Sequence, residues 1–232
     1  MSRRLNNILE HISIKEGDGE AVRSAKREVA MASLVNQFTL SVQSMRLIMS
    51  YLLHEMVEGL EGRESTLRML PSYVYKADPR RATGVFYALD LGGTNFRVLR
   101  VQCKKGKVVD SMTSAYKIPD YALRGNATDL FDFIASNVKK TMKERAPEDL
   151  NRKVPLGFTF SFPTEQTKVN SGVLIRWTKG FTTKGVEGKD VIELLQTALR
   201  RVNVDVNVVA LCNDTVGTLI TKYFEDPRCK SV

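Results

Sequence analysis

The first third of the chain has apolar residues at helical spacing. Across residues 28–60 they recur every three or four positions, which predicts one long amphipathic helix that Gly59 and Gly62 end. We interpret its apolar stripe as core packing without chemistry; the stripe comprises Leu34, Phe38, Val42, Met45, Met49, Leu52, Met56 and Leu60. Residues 71–82 contain two prolines and no periodicity, so they are predicted to be a connector.

After residue 82 the pattern changes to short apolar runs. Three runs in succession, at 84–90, 95–103 and 108–118, predict strands, and a helix is predicted over 126–145 with Thr128 as its cap. The remaining segments are predicted as a strand at 154–162, a short strand at 173–177, a helix at 190–201, a strand at 204–212 and a helix at 215–224. This order indicates an α/β fold with a mixed sheet, antiparallel at one edge and parallel beyond it.

Composition narrows the class of protein. With 232 residues, 43% of them apolar and 26% charged, the chain can bury a core, which excludes a disordered tail or a fibre. No apolar run approaches the roughly 18 residues that span a bilayer, so we predict no membrane span. The cysteines, Cys103, Cys212 and Cys229, lack disulfide or zinc-site spacing and are predicted to be reduced thiols of an intracellular protein. The net charge of +9 is dispersed along the chain, which favours a solvated basic surface over a nucleic-acid site.

A polar, glycine-containing segment lies in the turn between the first two predicted strands. Gly92 and Gly93 allow the backbone to approach a ligand, and their N–H groups can face an anion. Thr94 and Asn95 add donors, and Asp90 can orient a hydrated cation. A tight hairpin turn is the alternative explanation of the glycine pair. The segment matches neither the P-loop pattern nor the dinucleotide-binding GxGxxG pattern.

Two further segments have residues suited to chemistry. At 211–215 an apolar strand gives way to a helix, and open sheets place their ligands at such strand ends. Asp214 in this segment is either a general base or the helix N-cap. The second candidate combines two stretches, 160–163 and 177–181, whose hydroxyls, amine and aromatic rings suit a polyol. Each piece taken alone is also compatible with a structural role.

Together these segments resemble hexokinase, of the superfamily of sugar kinases, actin and chaperone ATPases. The resemblance runs from about residue 36 to 226, and its matching stretches are LDLGGTNFRVLRV (89–101), LGFTFSFPTEQT (156–167), NSGVLIRWTKGF (170–181) and LCNDTVGTL (211–219). It implies a ribonuclease-H-like small lobe. The implied division is a targeting or flexible segment at 1–27, the long helix and connector at 28–82, the small lobe at 83–212, and the start of a large lobe at 213–232.

The resemblance implies ATP-dependent phosphorylation of a hexose such as glucose at its 6-hydroxyl, the first step of glycolysis, with Asp214 as the base. By resemblance, ATP phosphates and the water shell of Mg²⁺, which has no direct protein ligand, would meet Asp90, Gly92, Gly93, Thr94, Asn95, Arg97 and Thr215. The hexose would meet Ser161, Phe162, Pro163, Thr178, Lys179, Asn213 and Asp214. The family closes two lobes around the sugar, which keeps water from the γ-phosphate.

Full hexokinases continue beyond the position of Val232 into a second phosphate segment and further sugar-binding residues. We therefore expect this chain to be a truncated part with little activity by itself. Its last strand, 204–212, is expected to lack most of its sheet partners and to expose apolar surface. The alternative function is a non-catalytic piece that associates with full-length hexokinase through that edge.

The N-terminus suggests a location. Arg4-Leu5, five intervening residues and His11-Ile12 resemble an amino-terminal address for peroxisome-type organelles, which kinetoplastid hexokinases carry to glycosomes. The alternatives are a plain amphipathic helix in a cytoplasmic protein, or a mitochondrial presequence. Glu10 and the scarcity of serine argue against a presequence.

Overall fold

The computed structural model describes residues 15, 17–73, 78–93 and 95–232. Thr94 and the four residues of the N-terminal address, Arg4, Leu5, His11 and Ile12, lie outside the described residues, so their predicted roles stay predictions. The chain divides into two compact units, of which the first ends at Met69 and the second spans Leu70–Val232. None of the helices that the structure describes is long and apolar enough to span a bilayer.

In the described part of the first unit, residues 20–60 form two helices where the apolar spacing predicts one. Helix α1 is Glu20–Phe38 and helix α2 is Val42–Leu60. Ser41 between them is extended, and its hydroxyl accepts the Ser44 N–H at 3.0 Å. A serine that bonds the backbone in this way starts a helix, because it satisfies a donor that the first turn leaves without a partner. The predicted spacing is therefore confirmed, and the predicted continuity is wrong.

The apolar stripe of these helices is not buried. No residue of α1 or α2 is buried, and the Phe38 and Leu60 side chains are 85% and 68% exposed. The prediction that the stripe packs into a core is thus wrong for the described structure. Two helices have little surface with which to cover each other, and a unit of this size buries a small fraction of its apolar area.

The second unit is built on a mixed sheet of five strands in the order β3-β2-β1-β4-β7. Strands β1, β2 and β3 run antiparallel in sequence order, while β4 and β7 continue the sheet parallel to β1, as predicted. A separate hairpin, β5-β6, adds a strand that the apolar pattern misses. The strands are β1 Gly84–Leu91, β2 Asn95–Lys104, β3 Lys107–Lys117, β4 Val154–Phe160, β5 Thr164–Lys168, β6 Ser171–Leu174 and β7 Val206–Cys212.

Four α-helices accompany the sheet: α3 Asp120–Arg124, α4 Ala127–Arg145, α5 Val191–Arg201 and α6 Asp214–Glu225, with 3₁₀ turns at Pro79–Arg81 and Pro147–Asn151. Helix α4 begins at Asn126, not at the predicted cap Thr128. The Asn126 side chain accepts the Asp129 N–H at 3.1 Å, and the Asp129 carboxylate accepts the Asn126 N–H at 2.8 Å. This reciprocal capping box satisfies two donors at once, which a lone threonine cannot do.

The core lies between the sheet and α4 and α5. Burial alternates along β1 and β4, and α4 contributes Leu130, Ile134 and Val138 from its inward face. This alternation fixes the register, because a slip by one residue would turn the apolar side chains outward. The parallel strands β1, β4 and β7 consequently end at the same edge of the sheet.

Candidate active site

Three of the predicted site segments meet at the carboxyl edge of the parallel strands. Asp90 near the end of β1 is in register with Thr159 of β4, and Thr159 is in register with Cys212 of β7. The Thr159 Oγ1 and Cys212 Sγ atoms are 3.9 Å apart. Because each strand runs directly into its polar segment, the topology places the turn between β1 and β2 that contains Gly92 and Gly93 (the glycine turn), Ser161 and Asp214 side by side.

Asp214 is the first residue of α6 and is not its N-cap. The cap is Asn213, whose Oδ1 accepts the Thr215 N–H at 2.9 Å. Of the two roles that the sequence left open for Asp214, the N-cap is therefore wrong. One Asp214 oxygen accepts the same Thr215 N–H at 2.9 Å, and the side chain is exposed. The carboxylate is thus free to accept a further hydrogen bond from a ligand.

Ser161 and Lys179 set the charge state of Asp214. Burial raises the pKa of Asp214, but a hydrogen bond from the Ser161 hydroxyl, the Thr215 N–H and the charge of Lys179 outweigh this effect. The net result is a pKa below the ordinary value for aspartate. Hydrogen bonds and a nearby cation both favour the charged form. At neutral pH the group is therefore a carboxylate, which accepts a hydrogen bond from a hydroxyl.

Lys179 joins the glycine turn to the 160–163 segment. Its Nζ lies 5.7 Å from the centroid of the Phe162 ring, and a Cβ placed on Gly93 would be 3.6 Å from the Lys179 Cβ. Lys179 has a positive φ of 56°, and Gly180 follows with a φ of 83°. A lysine in this left-handed region is held there by its surroundings, a feature common at binding sites.

An aromatic cluster supports the loop that contains Thr178 and Lys179. The ring centroid of Trp177 is 4.9 Å from those of both Phe162 and Phe181. Phe162 and Phe181 are buried, and their ring centroids are 5.0 Å apart. The Trp177 indole N–H donates to the Thr183 carbonyl and its backbone N–H donates to Glu187, both at 2.7 Å. Thr183 and Glu187 have no motif that marks them in the sequence.

The glycine turn is a hairpin, as the structural alternative proposed. The Gly92 N–H donates to the Asn95 carbonyl at 3.1 Å, so in this conformation it is not directed at a ligand. Arg97 Nη1 donates to Asp90 Oδ2 at 3.0 Å across the β1-β2 pair. Beside the turn, Arg97 and Asp90 therefore form an ion pair whose members can change partners. An arginine can bind a phosphate, and a carboxylate can bind the water of a hydrated cation. In the described ranges, no group of three or more His, Cys, Asp or Glu side chains is arranged to hold a metal ion.

Other predicted binding residues have structural contacts that the sequence did not show. The Pro163 carbonyl accepts the Ile175 N–H at 3.0 Å, and the Thr178 carbonyl accepts the Phe181 N–H at 3.2 Å. At the start of α6, the Asn213 side chain accepts the Thr215 N–H. All of these binding roles stay predictions, as do those of Ser161, Lys179 and Asp214, which lie near enough to one another for Ser161 and Lys179 to lower the pKa of Asp214. A separate cavity of about 440 Å³ between the starts of α4 and α5 contains none of these three side chains.

Comparison with known proteins agrees with this geometry. A sequence model of the family described as hexokinase matches residues 30–224. The hexokinase of Kluyveromyces lactis is 42% identical over 193 residues, which are 83% of this chain and 40% of that protein. The chloroplastic hexokinase-4 of Oryza sativa is 49% identical over 166 residues, which are 69% of this chain and 33% of that protein.

A solved structure supports the fold. The hexokinase of Schistosoma mansoni complexed with glucose matches with a TM-score of 0.71 and 41% identity, over 85% of this chain and 45% of that one. This confirms the predicted small lobe of the sugar-kinase and actin fold. The chain spans about 40% of the length of the Kluyveromyces relative. The family model covers residues 30–224, which are most of the chain and contain all three segments of the site, so the chain belongs to the hexokinase family.

Proposed function

We propose that this chain carries the base and part of both substrate sites of an ATP-dependent kinase that phosphorylates a hexose at its 6-hydroxyl. The observation that carries the proposal is the convergence of Ser161, Lys179 and Asp214 beside the glycine turn. One carboxylate, one hydroxyl and one ammonium group suit a ligand rich in hydroxyls. The glucose held by the Schistosoma relative supports a hexose as that ligand.

In the proposed reaction, the sugar 6-oxygen attacks the γ-phosphorus, the bond from phosphorus to the bridging oxygen of ATP breaks, and ADP leaves. The proton of the 6-hydroxyl passes to Asp214. The low pKa of Asp214 makes it a weak base, but phosphoryl transfer depends mainly on positioning and charge neutralisation. Asp214 therefore acts first by orienting the hydroxyl. The positive charge of Lys179 lies near enough to stabilise Asp214 as the carboxylate.

The residues of the glycine turn fit a nucleotide phosphate with Mg²⁺. When bound, MgATP supplies the phosphoryl group and a metal that neutralises phosphate charge. Asp90 would orient water on the metal, and Arg97 would pair with a phosphate oxygen. The Asp90 and Arg97 side chains are 32% and 54% exposed, so their ion pair can exchange partners at little cost.

A sugar without the 6-hydroxyl tests this function without requiring turnover. We expect Asp214→Ala to weaken glucose binding by about 10- to 100-fold, because a hydrogen bond to a charged group is lost. Binding of 6-deoxyglucose should stay unchanged, since it lacks the hydroxyl that Asp214 meets. Trp177 is the chain's one tryptophan and lies in the cluster beneath Lys179, so its fluorescence measures both affinities.

The matched control is Asp226→Ala, an aspartate at the other end of α6. It should leave the affinity for both sugars unchanged. Equal losses for glucose and 6-deoxyglucose in Asp214→Ala would contradict a specific contact with the 6-hydroxyl. Failure of the unmodified chain to bind glucose would contradict the proposed sugar site.

The alternative, association through the outer edge of β7, has less support. Strand β7 does lie at the sheet edge with one strand neighbour, as expected. Its outer backbone groups are partly occupied, however, since the Gln196 side chain bonds Val206 and Val208. An edge blocked in this way is a poor template for another strand.

We also propose that the chain is a glycosomal hexokinase of the kinetoplastid type, on the basis of Arg4, Leu5, His11 and Ile12. A fluorescent protein fused behind residues 1–20 should enter glycosomes in kinetoplastid cells. The double variant Arg4→Glu, His11→Glu should be diffuse in the cytoplasm, because the two basic side chains of the motif are replaced by acidic ones. Mitochondrial or diffuse fluorescence of the unmodified fusion would contradict the proposed address.

A further inference from the structure

The outer edge of β7 is bonded by two glutamine side chains and a loop. Gln196 of α5 donates from Nε2 to the Val206 carbonyl at 2.7 Å and accepts the Val208 N–H at 3.0 Å. Near the other end of the strand, Gln166 of β5 donates from Nε2 to the Leu211 carbonyl at 3.2 Å. The Leu211 N–H donates to the Val169 carbonyl at 2.8 Å. A primary amide has the donor and acceptor of a peptide group, so it can replace a missing strand neighbour.

The two glutamines hold different ends of the strand. Gln196 bonds the beginning of β7, which is remote from the site. Gln166 bonds Leu211, which is followed by Cys212, Asn213 and Asp214. Gln166 is 8% exposed, and its amide also lies 3.4 Å from the Ser171 carbonyl. A buried amide that bonds two carbonyls is fixed in place, because an unmade bond there costs free energy.

The hairpin that contains Gln166 packs closely on the end of β7. A Cβ placed on Gly172 of β6 would collide with Leu211 Cδ2, so the Gly172 backbone lies directly against the Leu211 side chain, which is 2% exposed. Such a contact leaves no room for the strand end to shift toward the hairpin. On its other side, the hairpin begins at Thr164, just after Ser161, Phe162 and Pro163. One rigid element thus connects the hydroxyl donor Ser161 to the strand that leads to its acceptor Asp214.

We propose that Gln166 is a positioning residue for Asp214: its amide, with the β5-β6 hairpin, fixes the end of β7 so that the Asp214 carboxylate stays within reach of Ser161. Gln166 touches neither the sugar nor the nucleotide in this role. The inference rests on the proposed function only in naming Asp214 as the base. The contact between the two segments is independent of any ligand.

The test compares Gln166→Met with the matched variant Gln196→Met in the full 232-residue chain without sugar. Methionine keeps the length of glutamine and removes the amide. Carbon-13 NMR of the Asp214 carboxyl should show a raised pKa in Gln166→Met, because the Ser161 hydrogen bond that lowers it is weakened. Gln196→Met should leave that pKa unchanged. Urea unfolding should show a similar loss of stability in both variants, since each removes bonds to β7.

A second measurement is the affinity for glucose, read from Trp177 fluorescence. It should fall by about three- to tenfold in Gln166→Met, the equivalent of one hydrogen bond, and stay unchanged in Gln196→Met. An Asp214 pKa that does not rise in Gln166→Met, or that rises equally in both variants, would overturn the proposal. If Gln166→Met does not fold, Gln166→Asn is used instead, because its side chain is one methylene shorter and its amide falls short of Leu211. The same rise in the Asp214 pKa is expected.

The outcomes separate this inference from the proposed function. If the unmodified chain binds no glucose, the sugar site is contradicted, and the Asp214 titration still decides whether Gln166 positions the carboxylate. If glucose binds and the titration is the same in all three proteins, the function stands and Gln166 serves stability alone.

Discussion

Replacing Asp149 with alanine is expected to lower the free energy of unfolding by about 3–5 kcal/mol, the range for breaking a buried ion pair. Asp149 is fully buried, and its Oδ2 accepts from Arg100 Nε at 2.6 Å and from the Tyr87 hydroxyl at 2.9 Å. Burial, and then the Asp149 carboxylate, raise the pKa of Tyr87, so the phenol stays a donor. Without Asp149, the Arg100 guanidinium keeps only two more exposed partners, Asp110 and Glu148.

Urea unfolding followed by circular dichroism measures this loss. The matched control is Asp132→Ala, which removes an aspartate from an ion pair with Arg201 at the surface. Both side chains of that pair are about two-fifths exposed, and we expect a loss of about 0–1 kcal/mol. Equal effects of the two substitutions would contradict the claim that burial makes the Asp149 pair important. The free energy of unfolding of a domain is typically about 5–15 kcal/mol, so Asp149→Ala removes a large part of it.

If the chain has the proposed kinase function, Asp214→Asn is expected to slow phosphoryl transfer to glucose by about 10²- to 10⁴-fold, the range for loss of a general base. Asparagine keeps the size of the side chain and removes the charge that orients the hydroxyl and takes its proton. The measurement is the amount of glucose 6-phosphate that forms from radiolabelled ATP over several hours. Long incubation allows even slow turnover to be detected.

Asp226→Asn provides the control for this experiment. It makes the same change at the C-terminal end of α6, where Asp226 bonds Arg228 at 2.9 Å and lies outside the site. Its rate should equal that of the unmodified chain. A rate for Asp214→Asn equal to that of the unmodified chain would contradict the role of Asp214 as the base.

Local patterns predicted much of the second unit correctly. The runs at 84–90, 95–103 and 108–118 are strands, and the mixed sheet follows from their order. A strand or helix that packs on one core keeps the period of its geometry in the sequence. The same rule failed in α1 and α2. There the apolar stripe is present, but the side chains are exposed.

Contacts between distant residues are outside the reach of such patterns. From the sequence, Asp214 had two possible roles, and the N-cap role is excluded because the neighbouring Asn213 caps the helix. Gln166 lies in a segment that matches hexokinase, yet its bond to Leu211 joins residues 45 positions apart. Nothing in the local spacing around Gln166 marks such a partner.

The sequence by itself determined the order of strands and helices, the three polar segments at strand ends, and the family. These depend on residue types at short spacing, which can be read directly from the amino-acid sequence. Only the tertiary structure decided that Ser161 and Lys179 lie near enough to Asp214 to lower its pKa, that Asp149 is buried against Arg100, and that Gln166 bonds the Leu211 carbonyl near the end of β7. Each of these depends on which strands become neighbours in the sheet, and that pairing is fixed by packing of the whole core.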